Sequence, residues 1–189
     1  MIDMADGHTV ATAVVGHEGA VGILSALGPA ASAITAVVRV AGTASRVSAS
    51  RFHAAFSRCP AIRRAVQNHV RAMLMQLQRG SACNALHPVE ARMARWLLQF
   101  RDRIDHDILP LTQQTLSEIV GVRRTTVTLL MRKLRARGAI RSDQRGRIEI
   151  DGPRLEAAAC ECRDIIRLEV EEVYRSGGPT PRTVTGDAI

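Results

Sequence analysis

The sequence predicts an α+β chain: a few short N-terminal strands, one long helix, and a C-terminal winged helix-turn-helix. Three observations predict it. Residues 111–137, LTQQTLSEIVGVRRTTVTLLMRKLRAR, show two helical apolar repeats on either side of a glycine. Residues 138–150 switch to the alternation of a β-hairpin. Upstream, residues 61–78 place apolar side chains at nearly heptad spacing.

Residues 1–10 read as a frayed start. From Thr9 to Val47 the chain is rich in Ala, Val, Gly, Ser and Thr. VVRVAG (37–42) suggests a strand and turn, and GHEGAVGILSALGPAAS (16–32) reads as loop. Two to four short strands are expected, too few to close a barrel or build a sandwich alone. Their edges then need cover from a helix or a partner chain. Gly16, Gly19, Gly22 and Gly28 are not expected to cradle phosphate, because no lysine follows them.

SASRFHAAF (48–56) reads as a short helix capped by Ser48 or Ser50. Pro60 then suits the first position of a new helix, running from about Ala61 to Leu77 or Gln78. Its apolar side chains are Ile62, Val66, Val70, Met73, Leu74 and Leu77. The spacings of four, three and four along Val66, Val70, Met73 and Leu77 favour self-association over internal packing. Residues 79–82 read as a hinge. The next helix, HPVEARMARWLLQF (87–100), starts at Pro88 and buries Val89, Met93, Trp96, Leu97 and Phe100. Residues 101–110 form a polar connector, in which Ile104 and Ile108 tuck back or form a short strand.

In the paired helices, Leu111, Leu116, Ile119 and Val120 line the first inner face, with Thr112 as cap. Gly121 supplies the left-handed turn, and Val122 plugs the angle. The second helix begins near Arg124 or Thr125 and turns Val127, Leu130, Met131 and Leu134 inward. Its outer face starts with Arg123, Arg124, Thr125, Thr126 and Thr128. Arginine forks onto a guanine edge, and threonine bonds bases or packs on a thymine methyl. Arg132, Lys133, Arg135 and Arg137 suit phosphates. From Arg123 to Arg147 there are nine basic residues and one acidic residue, whereas a merely solvated face would mix the signs. Ala139, Ile140, Ile148 and Ile150 frame a hairpin with Arg141, Arg145 and Arg147 at its tip, the pattern of a wing that touches DNA backbone or minor groove.

Residues 153–174 return to helix, with a loose apolar face of Leu155, Ala159, Ile165, Ile166, Leu168, Val170 and Val173. Six acids against two arginines from Glu156 to Glu172 keep this segment away from DNA and suit a cover or a protein contact. Residues 176–189 are Gly-, Pro-, Ser- and Thr-rich and are expected to be disordered.

The 189 residues are 46% hydrophobic but only 3% aromatic, so the core must be aliphatic. A net charge of +8 suits a polyanionic partner. Four scattered cysteines do not suggest an oxidising compartment. The start MIDMADGHTV is not a signal peptide, and no apolar run approaches the ~20 residues that span a bilayer. A cytoplasmic protein without a membrane partner is expected. Cys160 and Cys162 lack a third or fourth ligand nearby in sequence and read as an ordinary thiol pair. His8, His17, His53, His69, His87 and His106 show no ligand spacing, and neither GxSxG nor HExxH occurs. No catalytic residue, metal or cofactor is expected, and no enzyme.

The paired helices LTQQTLSEIVGVRRTTVTLLMRKLRARGAI, the wing and the long helix before them resemble the cyclic-nucleotide-receptor and fumarate–nitrate-regulator (Crp/Fnr) superfamily of bacterial transcription factors. The likeness covers about Glu18 to Ile166. It implies a sensor barrel, a dimerisation helix, and a homodimer on palindromic double-stranded DNA, its recognition helices one turn (about 34 Å) apart. RNA polymerase is a further expected partner. By position, Arg124, Thr125 and Thr128 or Leu129 occupy the family's base-reading surface, and Thr112, Gln113 and Thr126 its backbone-binding places. Members that read the best-known operator carry an acid at Thr125 and an arginine at Leu129, so that operator is not expected here. The sensor departs further. A glutamate near Glu18 is present, but PAASA (29–33) stands where the family has the Arg–Ser pair that clamps a cyclic phosphate. No cysteine precedes Cys59, so the iron–sulfur branch is not matched.

These readings divide the chain into a truncated, degenerate cyclic-nucleotide-binding-like barrel (1–58), a dimerisation helix and hinge (59–83), a winged helix-turn-helix (84–154), a C-terminal helix (155–175) and a tail (176–189). The DNA contacts expected are Arg123, Arg124, Thr125, Thr128, Leu129, Thr112, Gln113, Thr126, Arg132, Arg145 and Arg147. The dimer contacts expected are Ile62, Val66, Val70, Met73 and Leu77. The function expected is a sequence-specific, homodimeric transcriptional regulator. The alternatives are an interaction or dominant-negative partner of a full-length relative, and a small-ligand sensor using the partial barrel.

Overall fold

A computed structural model of the chain describes residues 1–3, 9–28, 34–104, 106–142 and 147–176. The fold is α+β. Two minimal strands, β1 (Ile2–Asp3) and β2 (Thr9–Val10), pair antiparallel at the N-terminus. Helices α1 (Ala49–Arg58), α2 (Pro60–Leu86) and α3 (Val89–Arg101) follow. Then come β3 (Ile108–Leu109), α4 (Gln113–Val120) and α5 (Arg124–Ala136). The hairpin β4 (Ile140–Ser142) and β5 (Ile148–Ile150) leads to α6 (Gly152–Glu156) and α7 (Cys162–Ser176). The second sheet has the order β3-β5-β4, with Ile140 opposite Ile150 and Ile108 opposite Glu149.

The N-terminal segment differs most from expectation. Residues 37–42 form no strand, and within 16–32 the described part contains a 3-10 helix, Ile23–Ala26. The only described sheet before α1 is the two-residue pair, so the described segment is not half a barrel. Val38 is 83% exposed, so this run of β-branched residues found no second layer to bury it. Instead the segment leans on later elements. The Ala11 amide donates to the Glu118 carbonyl (3.2 Å), Arg39 pairs with the Glu118 carboxylate (2.6 Å), and Glu18 pairs with Arg103 (2.9 Å).

Ser48 caps α1, its side chain accepting from the Arg51 amide, and Pro60 opens α2, both as the sequence indicates. The hinge expected at 79–82 is absent, because α2 continues unbroken through Gly80 to Leu86. Packing explains this. Arg79 reaches Glu169 on α7 (2.6 Å), and Cys83 is fully buried one turn on. Such contacts outweigh the roughly 1 kcal/mol that an interior glycine costs. The C-terminal helix is in turn divided: residues 157–161 interrupt it between α6 and α7. Helix α7 runs antiparallel to α2, since His69 meets Tyr174, Arg79 meets Glu169 and Cys83 meets Cys160.

This placement puts one member of the expected seam, Val66, inside the chain. Val66 is buried along with His69, Ala72 and Cys83, within the same chain. Ile62, Val70 and Met73 are half-buried, while Leu74 and Leu77 stay exposed. Helix α3 is buried almost all round rather than along one stripe, adding Ala94, Arg95, Leu98 and Gln99 to the expected Met93, Trp96, Leu97 and Phe100. It lies between the α2–α7 pair and the helix-turn-helix, so both its faces have neighbours. Residues 177–189 lie outside the described residues.

His69 sits in the α2–α7 joint, with Nδ1 3.0 Å from the Tyr174 hydroxyl. Burial lowers its pKa below the ordinary 6.5, although the Ala20 backbone and the Glu18 charge pull the other way. Below about pH 6.5 the unfolded chain therefore takes up a proton that the folded chain resists. Stability from this group is complete above that value and declines as pH falls towards the lowered folded pKa. The urea midpoint should fall between pH 7 and pH 5.5, and His69→Gln should flatten that dependence. An unchanged slope in the variant would place the effect elsewhere.

Candidate nucleic-acid interface

Thr112 caps α4, its hydroxyl accepting from the Thr115 amide (3.1 Å). The helix stops at Gly121, whose φ of 71° is left-handed. The Gly121 and Val122 amides both donate to the Ser117 carbonyl, at 2.9 and 3.1 Å, which folds the chain back sharply. Arg123 then returns to extended backbone and α5 begins at Arg124. A Cβ at Gly121 would meet only the Val10 methyls, at an ordinary 3.6–3.7 Å, so backbone strain is the main penalty there. Gly121→Ala should cost about 1–2 kcal/mol in urea denaturation, the left-handed penalty for an L-residue. A neutral result would mean that the turn relaxes.

Helix α5 is divided cleanly. Val127, Leu130, Met131 and Leu134 are buried, as are Leu111, Leu116, Ile119 and Val120 on the facing side. Arg123, Arg124, Thr125, Thr128, Leu129 and Arg132 are exposed, and Thr126 is half-buried. Arg123, Arg124 and Arg132 form no ion pair among the described residues, and their charge faces solvent. The Thr128 hydroxyl donates to Gln113 Oε1 (2.8 Å) and lies 3.1 Å from the Arg124 carbonyl. This joins the start of α4 to the first turn of α5 in one polar surface with Thr112 exposed beside it.

Not every basic side chain follows the sequence reading. Arg137 and Lys133 reach Glu90 at the start of α3, at 2.7 and 3.7 Å, and Arg135 donates to the Ser142 hydroxyl on β4 (2.7 Å). They brace α5 against its surroundings. The sequence missed Glu90, because its partners lie more than 40 residues away. In the wing, Arg141 is exposed opposite Glu149 and Arg147 is half-buried, while Arg145 lies outside the described residues. The strand Ile108–Leu109 adds a third member to the expected hairpin.

The fold also brings together Cys83, His87, Cys160 and Cys162, correcting the reading of Cys160 and Cys162 as an isolated pair. Among the described residues no helix is long and apolar enough to cross a membrane.

The Crp-like helix-turn-helix domain model matches residues 91–158, which span α3, the paired helices, the wing and α6. No curated protein sequence matches the chain. Three of the similar solved structures illustrate the likeness. FixK2 from Bradyrhizobium japonicum shares 16% identity and a TM-score of 0.55, over 60% of this chain and 60% of that one. A protein assigned to the crp/fnr family from Eubacterium rectale shares 19% and a TM-score of 0.47, over 58% of this chain and 51% of that one. The c-di-GMP-responsive global regulator CLP of Xanthomonas campestris shares 20% and a TM-score of 0.47, over 56% of each chain. The chain thus spans between about half and 60% of the length of each. Residues 91–158 of this chain therefore match a Crp-like helix-turn-helix domain.

Proposed function

We propose that the chain is a sequence-specific DNA-binding transcriptional regulator that acts as a homodimer, with α5 in the major groove. The observation that carries this reading is the partition of α5: its aliphatic side is buried while Arg123, Arg124, Thr125, Thr128 and Arg132 face solvent. Arg124 and Thr125, in the first turn, would meet base edges, as N-terminal residues of recognition helices do. Leu129, 51% exposed one turn on, suits a thymine methyl. Thr112, Gln113, Thr126 and Arg132 suit the flanking phosphates, and Arg147 with Arg145 would extend these contacts from the wing.

The homodimer reading rests on α2. Val66 is taken by internal packing, so a seam would use Val70, Met73, Leu74 and Leu77, where Leu74 and Leu77 are 53% and 37% exposed. Two copies joined there would present two α5 helices to a palindrome with half-sites one helical turn apart. Selection from a random duplex pool followed by footprinting tests the whole reading. A palindromic winner, bound by two chains and released steeply by salt, is the expected result. No enrichment would overturn it in favour of an interaction partner without its own operator.

A further inference from the structure

Away from the interface, four side chains with ligand chemistry meet where α2 ends and α7 begins. Cys83 and His87 are one helical turn apart, and Cys160 and Cys162 straddle the turn into α7. One ligand atom from each lies within 4.8 Å of all the others. Cys83 Sγ is 3.5 Å from Cys160 Sγ, and Cys162 Sγ is 3.6 Å from His87 Nδ1. All three cysteines are buried.

These separations suit a single small ion. With zinc–sulfur bonds of about 2.3 Å, a tetrahedral site spaces its ligand atoms about 3.8 Å apart. An iron–sulfur cluster divides its protein ligands among two or more irons and spreads the set wider. Two neighbours point the same way. Glu161 Oε1 lies 3.1 Å from His87 Nε2, so the carboxylate can hold that nitrogen protonated and leave the Nδ1 lone pair towards the sulfurs. Arg95 is 2% exposed, gives one hydrogen bond to Gln99 and forms no ion pair among the described residues. Three thiolates on a divalent ion carry one net negative charge, which a buried guanidinium close by would offset.

We propose that Cys83, His87, Cys160 and Cys162 bind one structural Zn²⁺ that locks the end of α2 to the start of α7. On binding, three S–H bonds break and their protons pass to solvent. Three zinc–sulfur bonds and one zinc–nitrogen bond form, and nothing is oxidised or reduced. The four protein ligands close the coordination sphere and leave no position for a substrate.

The test uses the untagged full chain purified under reducing conditions. Elemental analysis should find one zinc per chain. The chain stripped by a chelator should take up one equivalent of Co²⁺, with thiolate-to-cobalt charge transfer and the intense visible bands of a tetrahedral site. With metal bound, alkylation should modify Cys59 alone; after chelation it should modify all four cysteines. Cys162→Ser should weaken the charge-transfer band, while Cys59→Ser should leave it unchanged. Absence of zinc together with a featureless cobalt titration of the wild-type chain would overturn the proposal. So would recovery of a Cys83–Cys160 disulfide in place of metal. DNA binding is not a readout, so this outcome is independent of the regulator reading.

Discussion

Arg124→Ala should lower affinity for the selected operator by about ten- to a hundredfold per half-site, the worth of one bidentate base contact. Affinity for random duplex should change by no more than about threefold, because one charge among several phosphate-facing groups contributes little alone. The asymmetry follows from position. Arg124 is exposed in the first turn of α5 and forms no ion pair among the described residues, so its removal leaves the fold intact. Competition binding at fixed salt on both duplexes measures it. Equal losses on the two would reassign Arg124 to the backbone.

Leu134→Ala should lower stability by about 2–5 kcal/mol, the range for emptying a closed aliphatic site. Leu134 is fully buried on the inner side of α5, in the same cluster as Leu97, Leu116 and Ile148. The urea midpoint should drop by roughly 1–2 M, and binding should fall alike for all sequences under conditions that populate the unfolded state. Leu129→Ala, on the exposed side of the same helix, should stay within about 0.5 kcal/mol of the parent. If the two variants were equally stable, α5 would not be anchored by its inner face.

The region 111–150 was legible in the sequence because its signals are local. Helical spacing, Thr112, Gly121 and the switch to alternation each act within a few residues, and each matches the element found. The long helix was legible at Pro60 but not at its end. Gly80 and Ser81 read as breakers, whereas Cys83 meets Cys160 just before α7 and Arg79 meets Glu169 on it, 77 and 90 residues later. Likewise, β-branched residues at 37–40 read as a strand, but a strand needs a neighbour and none of the described segments supplies one. The cysteine–histidine group was hidden for the same reason. Its two halves, a Cys83–His87 pair at helical spacing and a Cys160–Cys162 pair, are separated by more than 70 residues. The helical spacing of the first pair was the one available clue.

The ties from Lys133 and Arg137 to Glu90 distribute the free charge of α5 unevenly. Charge near its far end is partly neutralised at home, while the leading end keeps its cations unquenched. On the proposed reading, an approaching duplex would meet cations at Arg123, Arg124 and Arg132 that are unpaired among the described residues, whereas Lys133 and Arg137 would first have to leave Glu90.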